Sequence, residues 1–466
     1  MSVSFGYMDD GVLVGPPTEV ASALSIIQAE SSKAGLSLNL DKCEIWSPNA
    51  IPSGVLPSTI PVADSGFLLL GAPIGSKEFI NHHVEAKVAA CSRIWHTLLA
   101  IGDPQTELLL LRSCLSFGKV SYLVRTTPLY NFDWSPYESG IRASVDQILG
   151  SILSDPAWRQ ATLPLSLGGL GLTSPGLISK PAFAGSLLFT SSLLAEHSVS
   201  VDSIPLQLSS LIQSLRADLL IPHSTDIPDK SSQKFFTKLA HQQVFNQLLA
   251  NASASPRDAC RLRSLSLPGA TTFLQGVPNE HTGTRLVPTD FCLAVKWVLG
   301  CPVIPQPITC PACQDIFDVY GDHALSCKQG RDRISLHNSL RDVLASTASL
   351  GFGHSNVRVE VHAELAVGNH RPRDICITGW SHLNDTLFDI TTTLPSQSTL
   401  LASSAHTTGH AAQIAHDTKL RKWEAHRDSS RETFIPLAVE LWGGWHPSAH
   451  KAFSRLAARA AQATLL

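Results

Sequence analysis

No excess of charge of either sign marks this 466-residue chain: 35 lysines and arginines stand against 38 aspartates and glutamates, a formal net charge of −3. Proteins that grip phosphate backbones over a broad surface are usually basic, because counterion release drives that binding. The composition therefore argues against such a role for the chain as a whole, although positive charge is bunched in KQGRDRISLHNSLR (328–341) and KLRKWEAHRDSSR (419–431). No apolar run reaches the roughly 18 residues that span a bilayer. Nor does MSVSFGYMDD have the charged start and apolar stretch of a signal peptide, so an intracellular chain with no membrane partner is expected. The ten cysteines are too scattered for a disulfide framework and read mostly as buried thiols. Internal repeats are absent, and residues 180–300 carry no chemical motif. What is present is ordinary globular composition, 44% hydrophobic and 16% charged, long enough for several domains at roughly 150 residues each.

The first 75 residues read as hairpin, helix, strand and hairpin. FGYMDDGVLVG sets Asp9 and Asp10 at a tight turn. TEVASALSIIQAESSKAG puts Val20, Ala23, Leu24 and Ile27 on one helical face, with Thr18 as N-cap and Gly35 as stop. LSLNLDKCEIW alternates like a strand, and GFLLLGAPIG is a glycine-punctuated β segment. Two helical stretches follow, VEAKVAACSRIWHTLLAIG and TELLLLRSCLSFGKVSYLV. The glycines of LPLSLGGLGL (163–172) then mark a turn where backbones approach closely. Past the helical 180–300 segment, CPVIPQPITCPACQD marks a boundary. A helix over 332–348, strands near 356–364, 373–379 and 386–393, a helix near 409–427 and a strand near 433–441 then make a small α/β domain.

Paired carboxylates at a hairpin tip suit a two-metal phosphoryl-transfer site, although a solvated turn has the same composition. YMDD followed by GLSLNLDK and then LGAPIG resembles the end of the palm of reverse transcriptases, specifically those of non-LTR retrotransposons. The resemblance implies that Asp9 and Asp10 are metal-binding aspartates, and that Asn39 and Lys42 and the glycine hairpin at Gly71 and Gly75 are the palm segments that follow. The family supplies a further metal-binding aspartate and the fingers from residues before this hairpin, and only six residues precede Tyr7. Asp9, Asp10 and Lys42 are therefore expected to be vestigial, and the chain not to extend a primer. LPLSLGGLGL and the helices before it are similar to the thumb of the same elements.

CPACQDIFDVYGDHALSC offers Cys310, Cys313, His323 and Cys327, with two, nine and three residues between successive members. Thiolate and imidazole are the donors tetrahedral zinc prefers, and two short ligand pairs separated by a loop can close such a site. Cys301 is an alternative to one of them. Four protein ligands leave no position for water, so the zinc would be structural, with the basic RDRISLHNSLRD segment held against nucleic acid.

After the knuckle, Glu360, Asp374 and Asp389 fall on or beside successive predicted strands. Fourteen residues separate the two aspartates, room for a β-turn-β excursion that brings both to one end of a sheet. Two carboxylates with a lysine to orient water form a minimal metal-dependent nuclease. Solvated strand-end charges would have the same residue types. The segment resembles the restriction-endonuclease fold, and a knuckle followed by such a domain is similar to the carboxy-terminal region of site-specific non-LTR retrotransposons. That resemblance implies Mg²⁺ or Mn²⁺ on Asp374 and Asp389, with Glu360 assisting. Two departures stand out: Arg373 separates Pro372 from Asp374, and Thr391 stands where many such nucleases carry lysine. The lysine is then expected from the following helix, where Ala412, Ala415, Lys419 and Lys422 share a face. Lys419 is preferred, with Lys422 the alternative.

The expected architecture is α+β and multidomain: a truncated reverse-transcriptase palm (1–78), a thumb-like helical region (79–180), a helical connector (181–300), a zinc knuckle with a basic helix (301–350) and a restriction-like endonuclease domain (351–466). The expected partners are DNA and RNA, in the nucleus, with metal ions as the sole cofactors. The competing reading is a non-catalytic nucleic-acid-binding remnant, which Thr391 and the near-neutral charge favour.

Overall fold

The computed structural model describes residues 3–7, 10–196, 203–228, 232–327, 329, 332–361, 373–381, 384–425 and 433–464. The fold is mixed α+β, mainly helical, with several small sheets. Strands β1 (Val3–Tyr7) and β2 (Asp10–Val14) pair antiparallel. Helix α1 (Pro17–Lys33) follows, and Pro16 and Pro17 start it instead of Thr18, because proline's fixed φ suits the first helical position. Gly35 lies just past its end with φ of 73°. The expected apolar face is only half covered: no α1 residue is buried, and Ile26 and Ile27 are exposed. LSLNLDK is not a strand. The Asn39 side chain accepts the Asp41 N–H and nucleates a 3-10 turn over Leu40–Lys42, the local competition that Asn and Asp offer against sheet. The second hairpin is present, β3 (Gly66–Leu69) against β4 (Ala72–Gly75). Its turn needs positive φ at Leu70 (50°) and Gly71 (82°), the signature of a primed two-residue turn.

Helices α2 (Lys77–Leu98), α3 (Pro104–Leu110), α4 (Ser121–Thr126), α5 (Ser135–Leu149) and α6 (Asp155–Ala161) build the largest core. The stretch expected as one helix over 106–124 is broken between α3 and α4 by a π-turn at Leu111–Leu115 and a 3-10 turn at Phe117–Lys119. The carbonyls this frees are taken from α2 and α5: Trp95 donates to Leu115 O at 2.8 Å and Tyr137 to Ser116 O at 2.8 Å. At Gly169 a Cβ would meet Leu163 O at 2.0 Å, so the close approach expected of the glycine-rich turn is present. Helices α7 (Pro175–Glu196), α8 (Ser203–Asp218), α9 (Ser232–Asn251), α10 (Pro256–Leu265) and α11 (Pro288–Val298) continue the helical region. By length and composition α7 could cross a membrane; its buried Ile178, Ala182 and Ala184 belong to protein cores shared with α5, α8 and α9.

Strands β5 (Ile308–Thr309) and β6 (Ile316–Phe317) pair antiparallel and precede the short helix α12 (Asp322–Ser326). Beyond α13 (Asp332–Phe352), strands β7 (Val357–Val361), β8 (Arg373–Ser381), β9 (Asn384–Thr393) and β10 (Thr433–Glu440) form one sheet in the order β10-β9-β8-β7. Only β9 and β10 run parallel, and the chain between them includes α14 (Leu401–Ser404) and α15 (His410–Glu424). Alternate side chains face opposite sides of a strand. Ile375, Ile377, Phe388, Ile390 and Leu437 therefore pack under α13 and α16 (Pro447–Thr464). Cys376, Leu387 and Phe434 pack on Leu420 and Trp423 of α15. The sheet is thus covered on both faces, and Trp442 beyond β10 meets Trp297 of α11 at 5.8 Å between ring centroids.

Candidate active site and candidate metal centre

In the antiparallel register Ile375 pairs with Phe388, so Asp374 on β8 stands opposite Asp389 on β9. Both are nearly buried, 9% and 6% exposed. Like charges directly opposite in a sheet are destabilising, so the pair needs compensating groups. Lys419, on α15, puts Nζ 2.8 Å and 2.7 Å from the two oxygens of Asp389. Arg373 Nη1 lies 3.8 Å from Asp389 Oδ2. His337, on α13, places Nε2 3.0 Å from Asp374 Oδ1, and the Ile390 N–H donates to Asp374 Oδ2 at 2.6 Å.

These contacts split the two acids. Burial opposes charge on Asp374, but His337 and the Ile390 N–H outweigh it and hold that carboxyl below the usual aspartate range. At Asp389 burial, helped by the neighbouring Asp374 charge, outweighs Lys419 and pushes the carboxyl up. His337 is raised above 6.5, chiefly by its hydrogen bond to Asp374. A histidine raised on folding contributes stability that is complete below its unfolded pKa and is lost as pH rises through the folded value. In solution without divalent metal, an NMR titration of His337 is expected to have its midpoint above 6.5, and His337→Gln to remove that part of the pH dependence of stability. A midpoint at or below 6.5 would mean that the contact with Asp374 does not persist.

The structure therefore brings Asp374, Asp389 and Lys419 together. Lys419, not Lys422, is the lysine on Asp389; Lys422 is exposed. Glu360 is not brought to the pair. It is exposed, its carboxylate is bonded by Arg341 of α13, and its φ of 55° breaks the alternation of β7, an unusual backbone for a residue with a side chain. Thr391 is half-buried on β9 opposite Ala438. His337 was not singled out among nineteen histidines. A signal was available, because His337 and Arg341 lie four residues apart on the basic helix and so share a face. Asp9 lies outside the described residues, while Asp10 and Lys42 are exposed and take no part in this cluster.

The second cluster is Cys310, Cys313, His323 and Cys327, whose ligand atoms all lie within 4.8 Å of one another. Tetrahedral zinc with metal–sulfur bonds of about 2.3 Å sets its ligand atoms roughly 3.8 Å apart, so this Cys3His donor set could hold such an ion. Cys313 Sγ lies 3.2 Å from His323 Nε2. Backbone N–H groups of Cys313 and Ala312 lower the Cys310 thiol to about 6, favouring the thiolate that binds metal, while at Cys313, against the Asp315 N–H, desolvation and the neighbouring Cys327 and Cys310 thiols push the thiol up to about 11. Asp318 holds the ligand loop by accepting the N–H groups of Tyr320 and His323 at 2.9 and 2.7 Å. Asp322 ties it to α10 through a two-pronged ion pair with Arg257, 2.7 and 2.8 Å, and accepts from Trp297 Nε1 at 3.1 Å. Cys301 is not in the cluster; it follows α11 and packs against the helical core.

No protein-family model matches this chain, and no curated protein does.

Proposed function

We propose that the chain belongs with the reverse transcriptases of site-specific non-LTR retrotransposons, that its Cys3His cluster is a zinc knuckle, and that its carboxy-terminal sheet is a metal-dependent DNA endonuclease acting on nuclear DNA. The observation that carries the nuclease reading is the meeting of Asp374, Asp389 and Lys419 at one place on a sheet covered on both faces. Two carboxylates are the hard-oxygen donors that Mg²⁺ or Mn²⁺ takes. When bound, such an ion would neutralise phosphate charge and acidify a water. Asp374 and Asp389 would hold it. Lys419 would orient the attacking water, whose proton would pass to solvent while the departing ribose oxygen takes one up from solvent. The new bond is water oxygen to phosphorus, and the bond broken is phosphorus to the departing ribose oxygen.

A second reading has its own observation. Lys419 and Arg373, joined by His337 when it is protonated, already surround the two acids with positive charge, which is how a buried charge cluster is held for structure alone. In that reading the chain binds nucleic acid without cutting it. Incubation of supercoiled plasmid with the protein and Mg²⁺ or Mn²⁺ separates the two. Nicking is expected, with Lys419→Ala lowering the rate by roughly 100-fold or more, the scale of lost electrostatic stabilisation in an active site. Lys422→Ala is expected mainly to weaken binding. Binding without nicking under either metal would establish the inert reading.

A further inference from the structure

We propose that Arg373 is a catalytic residue of the cutting site: its guanidinium binds a non-bridging oxygen of the phosphodiester being cut and stabilises the negative charge that gathers there in the transition state. This rests on the reading of Asp374 and Asp389 as a DNA-cutting site. Arg373 is the residue that separates Pro372 from Asp374, and it opens β8 opposite Val361 of β7.

The first observation is access. The two acids are nearly buried, whereas the side chains around them are partly open: 31% for His337, 30% for Lys419 and 24% for Arg373. A phosphate approaching the carboxylates meets these three side chains first. Lys419 already bonds both oxygens of Asp389, and the His337 ring is bonded to Asp374.

The second is a set of unused donors. A guanidinium carries five N–H donors in one plane. Arg373 Nη1 stands 3.8 Å from Asp389 Oδ2, close enough to feel its charge and too far to hydrogen-bond it. Among the described residues no hydrogen bond uses any of the five donors. An arginine that serves a buried acid for structure forms such bonds, as Arg257 does with Asp322 at 2.7 and 2.8 Å. The Arg373 guanidinium instead lies over the Phe434 ring of β10, 5.2 Å from its centroid, and Phe434 is itself held in the core beneath α15. Stacking of this kind occupies the face of a guanidinium and leaves its in-plane donors for a phosphate.

The third is charge balance. Without metal, Lys419 and Arg373 together offset Asp374 and Asp389. With a divalent ion on the acids, the two cations exceed the negative charge left around them. A phosphodiester brings one negative charge and gains more as the water, losing its proton, adds to phosphorus. Lys419 is committed to that water, so Arg373 is the cation that remains for the phosphoryl oxygen, the place where fixed positive charge lowers the barrier most.

Plasmid nicking by saturating full-length protein with Mn²⁺ tests this on Arg373→Ala and on Arg373→Gln, which keeps an uncharged side chain over Phe434. Both should nick roughly 100-fold or more slowly than wild type, with DNA affinity nearly unchanged, because in the absence of metal Asp389 holds the guanidinium back from phosphate. Millimolar guanidinium chloride should restore Arg373→Ala by about tenfold or more, the return of one charge-assisted contact, and sodium chloride at the same ionic strength should not. Mn²⁺ binding without DNA, followed by electron paramagnetic resonance, should be no weaker than in wild type, and thermal unfolding midpoints should match. The proposal is overturned if either variant nicks at the wild-type rate, or if nicking is lost together with Mn²⁺ binding or the unfolding midpoint and guanidinium restores nothing, which would make Arg373 a support for the acids. Wild type that never nicks removes the nuclease reading and this residue with it. An inactive Asp389→Asn beside an active Arg373→Ala removes Arg373 alone.

Discussion

Asp389→Asn is expected to reduce Mg²⁺-dependent nicking of plasmid DNA by at least roughly 100-fold, because a bound metal supplies several kcal/mol of transition-state stabilisation and each 1.36 kcal/mol is tenfold in rate. Asparagine keeps the volume and one acceptor for Lys419 Nζ, now 2.7 Å from Asp389 Oδ2, so the folded structure should persist. What it removes is the negative charge opposite Asp374, and with it half of the carboxylate donors available to a divalent ion. Asp374→Asn should be as inactive. Salt-sensitive binding to the same DNA should survive in both, since it depends on phosphate contacts and not on the acids. Because Asp389 is 6% exposed and bonded to an ammonium, alanine there would leave Lys419 without any acceptor as well as without its counter-charge, and confuse lost chemistry with lost stability. Equal thermal unfolding midpoints for wild type and Asp389→Asn, with nicking within threefold of each other, would remove Asp389 from the reaction.

Loss of one zinc per chain, with unfolding around it, is the outcome expected for Cys313→Ser. The elements near this cluster are two-residue strands and a five-residue helix. They bury little apolar surface of their own, so metal binding, worth about 10 kcal/mol or more in small zinc modules, would supply the folding free energy that a core supplies elsewhere. Releasing it should also loosen Asp322 from Arg257 and Trp297, the anchor of this segment on α10 and α11. Metal analysis should give about one zinc in wild type and in Cys301→Ser and none in Cys313→Ser. Hydrogen exchange should accelerate across 308–327 in Cys313→Ser alone. Full zinc in Cys313→Ser would move the ligand set elsewhere.

The parts of this molecule readable from sequence are those whose signal is local. The Cys3His spacing is contained in eighteen residues, and a chain that short can bring its four donors together with few alternatives. Positive φ at Gly71 and Gly35 and the close approach at Gly169 are likewise carried by the glycines themselves. Short apolar segments sufficed for β8 and β9, a continuous apolar run for β10, and a helical period for α15. Local signals also misled. Alternation in LSLNLDK promised a strand, and the Asn39 side chain captured a backbone N–H first. An unbroken apolar period promised one helix where α3 and α4 are separated by π and 3-10 turns.

Taken alone, the sequence determined the element types of the carboxy-terminal sheet, the four clustered cysteine and histidine side chains that could hold a metal ion and the short list of acids and lysines worth testing, because each depends on residues within one or two turns of chain. Tertiary structure decided which of them meet. Register across β8 and β9 set Asp374 opposite Asp389, the packing of α15 on the sheet delivered Lys419 in preference to Lys422, and α13, thirty-seven residues before Asp374, brought His337 to the pair while Arg341 held Glu360 aside. Those choices are made by side chains from distant elements competing for the same buried charges, and no window of sequence contains both competitors.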